Sequence, residues 1–184
     1  MTHASVLPGI RVDPTGMNLE TVIEDPRWDD IELLANQAVR AALRHLHLDP
    51  EYWEITLLFC DDARIAALNA AFRGKAQATN VLSWPSVERG AAVDGETPAP
   101  PKSEPELGDI ALAYETCMTE AKDGNIPPDH HTTHLIIHGV LHLLGYDHQR
   151  DGDADLMEST ETAILYRLGV PDPYRGQGHV GHDM

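Results

Sequence analysis

Apolar positions along the chain alternate between two spacings. Over residues 31–47, Leu33, Leu34, Ala38, Ala41, Ala42 and Leu46 recur at helical spacing, which predicts an amphipathic helix with Asp29 or Asp30 placed to cap it. Residues 53–60 are rich in β-branched and aromatic side chains and read as a strand. Residues 18–23, 79–84 and 108–113 are further strand candidates, the first two closed by Asp25-Pro26 and by Pro85. Helices are expected from Asp61 or Asp62 to about Phe72, over 114–123, over 129–144 and over 155–168, the last ended by Gly169-Val170-Pro171. The order β-α-β-α-β-β-α-α-α predicts an α+β fold, a small mixed sheet covered by helices.

Three segments lack either spacing. Residues 1–16 read as a flexible N-terminal segment, and 171–184 as a C-terminal tail, leaving a single domain over 17–170. Within it, residues 86–106 hold Pro98, Pro100, Pro101 and Pro105 among acidic residues, which predicts a mobile loop without regular structure.

Composition narrows the function classes. The net charge of −17 excludes a broad basic surface, so no DNA partner is expected and any polyanion must be met by a local basic patch. No apolar run reaches the roughly 18 residues of a membrane span, and the N-terminal stretch has no signal-like apolar core. Two cysteines, Cys60 and Cys117, are far apart with no C-x-x-C, which fits a reduced compartment, no disulfide and a cytoplasmic location. Each reads as a small buried hydrophobe.

The chain has 11 histidines, and a lone one on an apolar helix face is ordinarily a core residue. The run His138-Gly-Val-Leu-His142-Leu-Leu-Gly145-Tyr-Asp-His148 is different. His138 and His142 share one helix face and can grip one ion. Gly145 can take the left-handed conformation that ends the helix and swings His148 back as a third ligand. Zinc is favoured, one ion per chain at the end of a central helix, although imidazole also suits nickel, copper and iron. Three protein ligands leave a tetrahedral position open, as in hydrolytic rather than structural zinc sites. The spacing is shared with the metzincin proteases, but Gly139 stands where they carry a glutamate base. Water on such an ion ionises near neutral pH, so that base is dispensable.

His134-Leu-Ile-Ile-His138-Gly-Val-Leu-His142-Leu-Leu-Gly145-Tyr-Asp147-His148 resembles the signature of the YbeY endoribonuclease family. Leu68-Asn69-Ala-Ala-Phe72-Arg73-Gly74-Lys75 with Thr79-Asn80-Val81-Leu82-Ser83, and Leu107-Gly108-Asp109-Ile110, resemble that family's second and third motifs in the same order. The resemblance spans roughly 17–170. It implies an α+β fold around a zinc held by His138, His142 and His148, and a functionally important Arg73. It also implies endoribonuclease activity on single-stranded RNA, a role in small-subunit ribosomal RNA maturation and ribosome quality control, and the ribosome or its small subunit as partner. The chain departs from the family pattern at Ala76-Gln77-Ala78, at Trp84 in place of phenylalanine, and in the longer 86–106 loop.

The chemistry of the remaining candidates is consistent with RNA. Arg73 can hold a phosphate bidentately, with Lys75 adding a point charge as a second substrate-binding residue. His134, one turn before His138, is a candidate catalytic residue that supports the ligands or contacts a phosphate. Asp147 is placed to orient an imidazole or to bond local amides, Asn69 to bond local backbone, and His130 and His131 read as solvated. Leu135, Leu141 and Leu144 are expected in the core. Two alternatives remain at this point: a metal-dependent peptidase, and a ribosome-associated factor with a structural zinc.

Overall fold

The computed structural model describes residues 11–12 and 18–175. Its strands are β1 (Arg11–Val12), β2 (Leu19–Ile23), β3 (Glu54–Cys60), β4 (Val81–Pro85) and β5 (Glu106–Ala113). Its helices are α1 (Ile31–His45), α2 (Asp62–Arg73), α3 (Tyr114–Asp123), α4 (Pro128–Leu143) and α5 (Asp151–Arg167). The strands form one mixed sheet in the order β1-β2-β3-β5-β4. β2, β3 and β5 run parallel, while β1 and β4, at the two ends of the order and therefore edge strands, are antiparallel to their neighbours. The expected α+β fold is the one observed.

Strand alternation explains the layers. Ile110 and Leu112 point to one face of the sheet, where they join Leu57 and Phe59, Ile136, Ile137, Val140 and Leu141 of α4, and apolar residues of α1 and α5 in the main core. Ala111 and Ala113, one position out of phase, meet Ile65 of α2 in a smaller cluster on the opposite face. Each fully buried leucine or isoleucine contributes roughly 1.5–3 kcal/mol. α4 touches α1, α3, α5, β4 and β5, which is why Leu135, Leu141 and Leu144 are buried as expected. Cys60 and Cys117 are free and buried, and burial pushes both thiols up to about 12, consistent with inert hydrophobes.

Several local expectations are corrected. Arg11 and Val12, inside the segment read as flexible, pair with Thr21 and Glu20; the rest of residues 1–17 lie outside the described residues. Asp30 occupies the cap position of α1 but with φ +55°, and its side chain makes no cap bond. Asp61 does cap α2, accepting from the Arg64 N–H at 2.8 Å. α5 starts at Asp151, ahead of the predicted 155, with Asp151 and Asp153 favourably placed in its first turn. The 86–106 loop has no regular structure before β5, as predicted, and it is tied to the rest of the fold at several points. Arg89 donates to the Leu143 carbonyl at 2.9 Å, Arg150 donates to the Ala91 carbonyl at 2.8 Å, and Pro98 is buried. Among the described residues, no helix is long and apolar enough to cross a membrane.

Candidate metal centre

Gly139 sets how α4 meets the sheet. A Cβ there would lie 2.9 Å from Ile110 Cγ2 and 3.2 Å from Ser83 Oγ, so only glycine lets the helix pack this closely. The close approach brings His138 and His142 to the rim of β4. The helix ends in a Schellman motif: the Tyr146 N–H donates to the Leu141 carbonyl at 3.0 Å and the Gly145 N–H to the His142 carbonyl at 3.1 Å. Gly145 has φ +97°, the left-handed turn the spacing required, and Tyr146 is buried against the core. The chain then carries His148 back over the helix end.

The three candidate ligands converge. His138, His142 and His148 each offer a ring nitrogen, all within 4.8 Å of one another, and the two Nε2 atoms of His138 and His142 are 3.0 Å apart. Burial, with further contributions from His138 and His148, lowers His142 to about 4, so its ring is neutral and its lone pair available at neutral pH. A donor set of three neutral imidazoles with no thiolate fits a borderline divalent ion such as zinc.

Behind His138 lies a residue that sequence reasoning missed. Glu161 of α5 is fully buried, and its carboxylate accepts from His138 Nδ1 at 2.6 Å, from His134 Nε2 at 2.7 Å and from the Tyr174 hydroxyl at 2.5 Å. Burial alone would raise this carboxyl, but the bonds from His134 and His138 outweigh it and hold the group down at about 2. Burial and the adjacent carboxylate push the Tyr174 phenol up. A proton held on His138 Nδ1 leaves Nε2 free to bind metal, the arrangement by which carboxylates orient ligand histidines. Sequence did carry a signal: Glu161 stands at helical spacing from Met157, Ile164 and Leu165, an acid on an apolar face. Tyr174 belongs to the stretch read only as tail.

The other predicted residues separate. Arg73, the last residue of α2, reaches the Ser83 carbonyl on the edge of β4 at 3.0 Å and lines one open cavity of about 440 Å³ together with His138, His142 and His148. Asp147 lines it too, and its carboxylate accepts from the His148 N–H at 2.7 Å. Lys75 is exposed but does not line this cavity, because Gly74 at φ +68° turns the chain away after Arg73. His134 does not line it either; its ring is turned to Glu161. Asn69 is buried and bonds the Gln77 carbonyl at 3.0 Å, as expected of a local backbone partner. His131 is not solvated but bonds Glu120 at 2.7 Å. A cavity of about 470 Å³ between α1 and α4 includes Asp29, Asp30 and Asp129 and no lysine or arginine, which makes it unsuited to phosphate.

Comparison with known proteins gives the family. The family model described as Endoribonuclease YbeY matches residues 19–169. A Ruegeria relative (strain TM1040), named Endoribonuclease YbeY, is 54% identical over 164 residues, covering 86% of this chain and 96% of its own. A Rhodopseudomonas palustris relative of the same name is 44% identical, covering 88% of this chain and 83% of its own. The solution structure of a Thermotoga maritima protein shares the fold, with a TM-score of 0.52 at 16% identity over 90% of this chain and 99% of that one. The chain belongs to the YbeY family of endoribonucleases.

Proposed function

We propose that this chain cleaves single-stranded RNA with one zinc ion held by His138, His142 and His148, and that its substrate is ribosomal RNA during small-subunit maturation and quality control. The observation that carries the reading is the placement of Arg73 and the three histidines around one open cavity. When bound, the ion supplies positive charge to the reacting phosphate and lowers the pKa of water beside it. The chain does the rest. Arg73 holds non-bridging phosphate oxygens with its planar fork, in the cavity it shares with the ligands. Glu161 keeps the proton of His138 on Nδ1, and His134 with Tyr174 keeps the Glu161 carboxylate in place. That makes His134 a positioning residue rather than a substrate contact. Lys75 attracts the backbone from outside the cavity.

The reading extends to the ribosome or its small subunit as partner and to the cytoplasm as location. Two observations disfavour the alternatives. A peptidase glutamate has no room at position 139. All three ligands also border an open cavity, unlike a structural zinc closed by protein. The test is cleavage of matched single- and double-stranded RNAs by metal-replete protein, with metal content measured in parallel. Activity confined to single strands and abolished with the metal supports the reading; equal cleavage of both, or full activity without metal, overturns it.

A further inference from the structure

His148 is the one candidate ligand without a helix beneath it. Its own stretch, 144–150, has no regular structure, and the same distant loop grips both ends of that stretch. Upstream, the Arg89 guanidinium donates to the Leu143 carbonyl at 2.9 Å, and the Arg89 backbone lies against Gly145 so closely that a Cβ there would be 2.4 Å from its carbonyl oxygen. Downstream, Arg150 donates to the carbonyls of Ala91 at 2.8 Å and Ala92 at 3.1 Å. α5 begins just after, and its cap comes from the loop: no side chain at the cap position bonds the first turn, while the Asp94 carboxylate accepts from the Asp153 N–H at 2.8 Å. Asp153 reciprocates, its carboxylate accepting from the Gly95 N–H at 2.9 Å and from Arg150 Nε at 2.5 Å. A Cβ at Gly152 would come 2.7 Å from Asp94 Oδ1, so the two segments fit without a gap. Glu88 and Gly90 of the same loop form part of the cavity wall with the ligands.

We propose that segment 89–95 is a clasp that fixes the position of His148, with Arg150 and Asp94 as its positioning residues. The inference rests on the reading that His148 is a metal ligand, and deepens it. A ligand on a seven-residue connection must otherwise be ordered by the metal itself, which lowers affinity; a clasp that orders the connection beforehand removes that cost. The clasp joins residues 54 to 59 positions apart, so it has no signature in the local motif.

The experiment is chelator competition for zinc on the full chain, with the melting temperature of the metal-free form followed as a fold control. Arg150→Ala should weaken zinc binding about tenfold, in the range of outer-shell partners of metal ligands. Asp94→Ala should act in the same direction. The decisive comparison is the His148→Ala background, in which Arg150→Ala should change affinity by less than about twofold because the group it positions is gone. Wild-type affinity in Arg150→Ala and Asp94→Ala, or an equal loss from Arg150→Ala in both backgrounds, overturns the clasp while leaving His148 as a ligand. Wild-type affinity in His148→Ala removes the ligand reading, and the clasp with it.

Discussion

The two walls of the cavity are built by opposite means. On the α4 wall, His138 is backed by a carboxylate with 0% exposure that takes three hydrogen bonds, and His142 is shielded enough to stay neutral. On the α2 wall, Arg73 is exposed, ends its helix, and is steadied by a bond to one carbonyl of an edge strand. The contrast follows from what each wall must do. A metal ion demands ligand atoms placed to within tenths of an ångström, which only packed and hydrogen-bonded side chains provide. A flexible polyanion demands charge and reach, and a hydrated turn supplies both with little structural support.

If that division holds, damage to the α2 wall should leave metal binding untouched, whereas damage to the α4 wall should show first in metal affinity. The largest effect is expected from Arg73→Glu, which should reduce RNA cleavage at least about a hundredfold, the scale of losing one charge-stabilising donor, while zinc content and melting temperature stay at wild type. Arg73→Lys should keep part of the activity. A fall in zinc content in Arg73→Glu would break the comparison at once. Glu161→Gln comes next: it should weaken zinc binding about ten- to a hundredfold by chelator competition, since an amide cannot accept the same bonds as a carboxylate. Unchanged affinity there would mean the buried carboxylate contributes packing alone. Gly145→Val should destabilise the fold by about 2 kcal/mol in denaturant melts and weaken zinc binding less than Glu161→Gln, because it strains the turn and the Arg89 contact without removing a ligand. Smallest is Lys75→Ala, with RNA binding weakened about two- to threefold at low salt and unchanged at high salt. A loss that persists in high salt would place Lys75 on the substrate rather than near it.

The same contrast explains what could be read from the chain. All three candidate ligands and the turn that joins them fall within positions 138–148, so helix spacing and one glycine were enough to bring them together. The helices and inner strands were legible because their apolar spacing is local. What escaped depends on contacts far along the chain. Glu161 meets His138 from 23 positions away, and Tyr174 meets His134 from 40. The bonds that tie the 86–106 loop to the fold were hidden as well, because its proline-rich, acidic composition says nothing about Arg89 and Arg150, whose partners only the fold supplies. Lys75 was expected to add a point charge beside Arg73, but Gly74 takes a left-handed turn between them and leaves Lys75 outside the cavity.

Gly139 also bears on how far this chain stands from the proteases whose histidine spacing it shares. One substitution, Gly139→Glu, would complete their written signature, but the new side chain would start 2.9 Å from Ile110 and 3.2 Å from Ser83. The carboxylate would be driven into the contact between α4 and the sheet, so the expected product is a misfolded chain and not a peptidase, readable as insoluble expression. Reaching peptide hydrolysis would require β4, β5 and α4 to separate first, each step costing the packing that holds His138 and His142. Two sequences one letter apart in a motif can therefore lie many substitutions apart along any path that keeps the protein folded.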